Sequence, residues 1–215
     1  GLLKYDGTRI TNYQHSPLNT NSVSSNDLES VFADGDGSIW VGSLGKGLDR
    51  LDPKTGIFAH FQHDADNLSS ISNDTITSIL RDSRGDLYIG THKGLNRYDH
   101  ETGEFVHFRH NPDNQSSISN DQVRVIYEDK SGNLWIGTGS PYVDNGGGPE
   151  DGGLNRFNKE SESFTRYLHD PEDESSLQNN KISAIYEDDK GTFWIGTAYA
   201  GMHKMNREKG TFERC

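Results

Sequence analysis

Cysteine is nearly missing from this 215-residue chain. Cys215, at the last position, is the sole example, which excludes an internal disulfide framework and leaves the redox compartment open. Long apolar runs are missing as well. No stretch approaches 18 apolar residues, so no segment is expected to cross a bilayer as a helix. Positive charge is in deficit: 21 Lys and Arg stand against 33 Asp and Glu, for a net charge of −12, and no basic cluster stands out. A groove that tracks phosphates needs local positive charge, so a nucleic-acid partner is not expected. The acidic balance is read as solubility. The chain has no initiating Met at Gly1 and no signal-peptide pattern, from which a piece of a longer protein or a processed product is expected. Helical spacing of apolar residues is absent. Also lacking are a Gly-x-Ser-x-Gly elbow, a His-Glu-x-x-His pair and a glycine-rich loop before a helix.

What is present is a sentence said four times. Trp40-Val41-Gly42-Ser43, Tyr88-Ile89-Gly90-Thr91, Trp135-Ile136-Gly137-Thr138 and Trp194-Ile195-Gly196-Thr197 lie 48, 47 and 59 residues apart. Each follows an Asp-x-x-Gly turn and precedes a Gly-[Leu/Met]-x-[Arg/Lys] segment. In the third repeat the β-branched run Val123–Tyr127 reads as strand a, Asn133–Thr138 as b, Leu154–Phe157 as c and Phe164–Tyr167 as d. Four short strands per 47 or 48 residues match a β-propeller blade, a four-stranded meander. The fold class is therefore all-β, with blades over 16–63, 64–110, 111–169 and 170–215. Residues 1–15 repeat only strands c and d, since Gly1–Asp6 matches Gly94–Asp99, and they form a half blade. About four and a half repeats leave two architectures, a part of a larger ring or a ring of five blades with one thin one. An open arc would leave apolar blade faces in water.

The pattern running from Asn120 to Thr138 and continuing at Gly153–Phe157 resembles the two-component regulator propeller repeat, and the likeness extends over the whole chain. The resemblance implies a periplasmic or extracellular sensor region of a bacterial hybrid histidine kinase, where such propellers often recognise oligosaccharides. It implies the remainder of a sensor kinase, or another propeller segment, as partner. No enzyme activity, cofactor or metal is expected.

A residue that recurs in every blade is read as scaffold. Asp34, Asp82, Asp129 and Asp188 each precede a turn glycine by three residues and are read as turn caps. An EF-hand would need ligands over twelve residues and a closing Glu. Trp40, Trp135 and Trp194, with Tyr88 in the same place, are read as packing between blades. His15, His63, His110 and His169 share one repeat position and so are spread around the ring rather than gathered on a metal.

Difference marks the candidate site. The d→a and b→c loops open on one face, and the b→c loops differ most: Leu44-Gly45-Lys46, His92-Lys93, Ala198-Tyr199-Ala200, and an insertion over 140–151 in the third blade. Per-repeat insertions collect on binding faces. At one position of strand a, Glu29, Thr77, Arg124 and Ser183 align, and Arg124 would pair either a ligand anion or the Glu29-type position of an adjacent blade. The candidate ligand-binding set is Lys46, His92, Lys93, Arg124, Tyr142, Asp144, Asn145 and Tyr199. A second expectation is an assembly module that forms oligomers, a homo-oligomer among them, through blade edges. A third is a propeller lyase or glycoside hydrolase with carboxylates or histidines meeting at the axis.

Overall fold

Short runs rich in β-branched and aromatic residues, each closed by a glycine or aspartate turn, become the strands of the computed structural model, which describes residues 1–140 and 151–215. A hairpin of β1 (Leu2–Tyr5) and β2 (Ile10–Tyr13) comes first. Four antiparallel four-stranded meanders follow. The first blade holds β3 (Leu28–Ala33), β4 (Ile39–Ser43), β5 (Leu48–Asp52) and β6 (Ile57–Phe61). The second holds β7 (Ile76–Arg81), β8 (Leu87–Thr91), β9 (Gly94–Tyr98) and β10 (Phe105–Phe108). In the third are β11 (Val123–Glu128), β12 (Leu134–Thr138), β13 (Gly153–Asn158) and β14 (Ser163–Tyr167). The fourth is β15 (Ile182–Glu187), β16 (Phe193–Thr197), β17 (Met202–Asn206) and β18 (Thr211–Arg214). No α-helix occurs among the described residues. The fold is the expected β-propeller, and strand ends agree with the sequence pattern to within about two residues.

The innermost strands β3, β7, β11 and β15 lie side by side in that order. Four apolar clusters fill the junctions, the first joining the hairpin's Leu2 and Tyr13 to Val41, Leu51 and Phe58 of the first blade. The other three join successive full blades, each centred on the strand-b aromatic of the earlier one: Trp40, Tyr88 and Trp135. Burying one such ring removes about 150–250 Å² from water, which makes the junction aromatic a main contributor to blade cohesion. Behind each ring the strand-b glycine lets the next blade approach. A Cβ added at Gly42, Gly90 or Gly137 would lie 2.5 Å from Ile76, 2.6 Å from Val123 or 2.6 Å from Ile182.

The repeated aspartate caps its turn, as expected, and does two further things. In the third blade Asp129 accepts from the Ser131 and Asn133 amides at 3.0 and 2.9 Å. Gly132, at φ +79, takes the left-handed turn position that a side chain would resist. Asp129 also accepts from the Trp135 indole at 2.8 Å, locking the junction aromatic. Third, it receives a cation from the next blade, Arg207 at 2.9 Å. The same cross-blade clasp joins Asp34 to Arg81 at 2.7 Å and Asp82 to Lys159 at 2.6 Å. The bonds from Arg81, with burial opposing them, hold the Asp34 carboxyl down at about 2.

The recurring histidines have the scaffold role expected of them. Nδ1 of His15, His63, His110 and His169 meets the carbonyl eight residues on, those of Val23, Ile71, Ile118 and Leu177, at 2.6–3.0 Å. A carbonyl only accepts, so each ring carries its proton on Nδ1 there.

Candidate functional site

Strand pairing explains why one position of strand a differs from its surroundings. In every full blade the register between strands a and b slips once, leaving Glu29, Thr77, Arg124 and Ser183 out of the ladder. A β-bulge of this kind re-aims the residue it frees. All four bulges sit at the start of the innermost strand, beside the b→c loops: Leu28 pairs with Ser43, Ile76 with Thr91, Val123 with Thr138 and Ile182 with Thr197. The repeat thus builds one aimed position per blade around the axial mouth, and each blade fills it differently.

Thr77 turns inward. Its hydroxyl donates to the Val123 carbonyl at 2.7 Å and is buried. Arg124 instead reaches across the second blade, its guanidinium 3.9 Å from the Glu29 carboxylate of the first. Of the two partners expected for Arg124, a ligand anion or a Glu29-type position of an adjacent blade, the second is the one concerned. The structure corrects that to the blade after next, because the freed side chains converge on the axis rather than on the neighbouring sheet. His92 belongs to the same cluster. Burial pushes its imidazole down, the Arg124 charge pushes it further and Glu29 opposes. Neutral at neutral pH, it offers one donor and one acceptor.

The remaining candidates do not all join this cluster. Lys93, next to His92, is exposed in a tight turn pinned by its amide on Thr91. Tyr199 is 57% exposed on the fourth blade, and the Lys181 ammonium lies 5.4 Å from its ring centroid, a cation–π distance. Lys46 lines a separate polar groove of about 390 Å³ between the loop after β2 and the first blade, with His15, Asn19, His60 and Gln62. In that groove burial pushes His60 down, but bonds to Asp49 and the Thr20 carbonyl outweigh it and its pKa is raised. Tyr142, Asp144 and Asn145 lie outside the described residues. Among the described residues no three His, Cys, Asp or Glu are grouped to hold a metal ion.

Two residues of the mouth escaped the candidate set. Glu29 was set aside as the partner of Arg124 rather than as a ligand group. Lys181 had a signal that went unused: it stands where the other blades carry Asp27, Thr75 and Gln122, the single cation of its column.

Comparison with known proteins agrees with this architecture. The SMP-30/Gluconolactonase/LRE-like region model matches residues 29–170, and the Two component regulator propeller model matches 176–199. No curated protein sequence matches the chain. Among solved structures, the extracellular domain of a protein described as a hybrid two-component system of B. thetaiotaomicron aligns at 25% identity and TM-score 0.78 over 99% of this chain and 27% of its own. A second such extracellular domain from B. thetaiotaomicron aligns at 27% identity and TM-score 0.67 over 92% and 23%. This chain therefore spans about a quarter of each. A virginiamycin B lyase from Staphylococcus aureus, solved with quinupristin, shares the fold at 15% identity and TM-score 0.61 over 96% of this chain and 59% of its own.

Proposed function

The chain belongs to the SMP-30/gluconolactonase/LRE-like family and carries the two-component regulator propeller repeat, and from that premise we propose that it is a non-catalytic ligand-sensing propeller segment of an extracytoplasmic signalling protein. Its ligand is a small polyhydroxylated molecule, a carbohydrate fragment, taken at the axial mouth. The carrying observation is the pairing of Arg124 with Glu29 across an intervening blade, from bulge positions that scaffolding does not need to vary. A guanidinium fork, a carboxylate and a neutral imidazole together offer donors and acceptors, the set that successive sugar hydroxyls satisfy. At 3.9 Å the ion pair is too long for a strong bond between its members, so a sugar hydroxyl bridging both from one side would not have to break one. Tyr199 supplies an exposed ring on the same loop face, and sugars stack on such rings. The likeness to extracellular domains of two-component systems supports the periplasmic or extracellular setting, with the rest of a sensor kinase as partner.

Calorimetric titration against a panel of neutral and acidic oligosaccharides tests the reading. One ligand class should bind, and Arg124→Ala should weaken it at least tenfold while leaving the fold intact. Absence of heat across the panel, or unchanged affinity in Arg124→Ala, refutes it. The lyase neighbour and the gluconolactonase part of the family description keep a second assay worthwhile. Lactone hydrolysis by the wild-type chain that Arg124→Ala abolishes would make this mouth catalytic instead.

A further inference from the structure

We propose that Asp49 and His60 form a proton-operated latch, which fastens the loop over 16–24 to the first blade in acid and frees it around Thr20 when the imidazole gives up its second proton. Thr20 and His60 both line the groove that holds Lys46, so the latch sets how far that groove is open. The argument stands apart from the ligand reading at the axial mouth.

One position of strand c is buried in every full blade: Asp49, Asn96, Asn155 and His203. Across the ladder on strand d stand His60, His107, Arg166 and Arg214. In the second and third blades the strand-c amide ties down the incoming d→a loop. Asn96 accepts from the Ser72 amide and Asn155 from the Ser119 amide, both at 2.9 Å. Each then gives its own N–H to the same serine's hydroxyl. Asp49 keeps the accepting half of this device, with Oδ2 taking the Ser24 amide at 2.8 Å and the Ser24 hydroxyl at 2.7 Å. A carboxylate has no N–H to give. Its Oδ1 turns instead to Nδ1 of His60 at 2.6 Å.

The other ring nitrogen, Nε2, lies 2.8 Å from the Thr20 carbonyl. A carboxylate and a carbonyl both only accept, so the two contacts together require a proton on each nitrogen, the imidazolium. Neither counterpart makes that demand. His107 meets one acceptor among the described residues, the Ser70 carbonyl at 2.7 Å, which a neutral ring satisfies. Arg166 holds its loop through the Ser117 carbonyl and hydroxyl, each at 2.6 Å, and the Asn114 carbonyl at 2.8 Å, with a charge that does not titrate. The other titratable groups on the groove are Lys46 and His15, whose Nδ1 is spent on the Val23 carbonyl, and the loop over 16–24 carries no charged side chain. Burial pushes His60 down, but the Asp49 and Thr20 bonds outweigh it and raise its pKa. When the second proton leaves, Asp49 retains the one on Nδ1, because a buried carboxylate without its partner is the costlier loss. Nε2 then turns a lone pair on the Thr20 carbonyl, and that contact opens. Ser24 stays on Asp49 and the Asn21 carbonyl on the Phe58 amide, which confines the release to the stretch before Asn21.

Nitrogen-15 NMR of the imidazoles in the full chain, followed from about pH 5 to 9, tests the latch. His60 should titrate above a free histidine, doubly protonated in acid and carrying its proton on Nδ1 in base. Over the same range, amide exchange in 16–22, referred to the equivalent 111–117 loop of the third blade, should rise severalfold on the basic side. Asp49→Asn, which copies the second blade, should bring the His60 titration below that of a free histidine and remove the step in exchange. His60→Arg, which copies the third, should hold the loop at every pH. A wild-type His60 that titrates at or below a free histidine, or that keeps its proton on Nε2 in base, overturns the proposal. So does a 16–22 loop whose exchange shows no step across the His60 titration, or a step that persists in folded Asp49→Asn. The wild-type measurements decide by themselves if Asp49→Asn does not fold.

Discussion

The two rims of this propeller are built from the same repeat and behave oppositely. On the lower rim every turn aspartate caps its turn and holds an indole wherever its blade carries the strand-b tryptophan, and three of the four take a cation from the next blade. On the upper rim the equivalent positions of successive blades hold Glu29, Thr77, Arg124 and Ser183, and one pair meets across the axis at a distance where no strong bond forms. One rim repeats its bonds from blade to blade and the other varies its side chains. Where stability is concentrated, side chains are consumed by each other. Where they vary from blade to blade, something else can be bound.

The comparison breaks most sharply through Asp129→Ala. The change removes the bonds to the turn, the Trp135 indole and Arg207 at a buried site. A loss of about 3 kcal/mol in urea unfolding is expected, since a buried donor and cation lose their acceptor. Acid should act on the same rim. Asp34, Asp129 and Glu187 have folded pKa values below their unfolded ones, so they add stability above about pH 4 that disappears as pH falls through the folded values, down to about 2 for Asp34. His92, His100, His107 and His203 are pushed down, chiefly by burial, so the unfolded chain gains protons first as pH falls below about 6.5. His60, raised, works the other way, adding stability on the acid side that is lost as pH rises through its folded value. Thermal midpoints from pH 7.5 to 3 should therefore show a shallow decline near pH 6 and a steep one below pH 4.

A glycine pair sharpens the contrast between covered and open blade faces. Gly137→Ala forces a methyl against Ile182 and should cost about 1–3 kcal/mol by overpacking. Gly196→Ala meets only its own sheet and should stay within about 0.5 kcal/mol in the same denaturation assay. The smallest effect belongs to the upper rim. Arg124→Ala should shift stability by no more than about 0.5 kcal/mol, since the pair is long and partly exposed. A large loss there would make the mouth another clasp.

Much of the architecture was legible because each device recurs. Val123–Tyr127 against Asn133–Thr138 reads as a hairpin from alternation and turn chemistry, and its four copies remove the ambiguity of any one. The turn aspartates were read as caps, but their cations were not foreseen. Lys159 and Arg207 share one place in the repeat but Arg81 comes from another, so no single spacing announces all three. The mouth was visible only as variation. That Glu29 and Arg124 stand on bulges depends on how two strands register, which no single strand records. The grouping of Lys46 with Arg124 failed for a related reason. Loops on one face share a direction but not a location, and Lys46 falls in an outer seam of the first blade.

The clasp between a turn carboxylate and a positive charge borrowed from the sheet behind it runs in a single direction along the polypeptide. A nascent chain leaving the ribosome would expose each acid unanswered until the cation of the following blade emerged, 47 to 78 residues later. Assembly would thus advance like a ratchet from the amino end, and gene duplication could lengthen the array with every added unit already fitted to its predecessor.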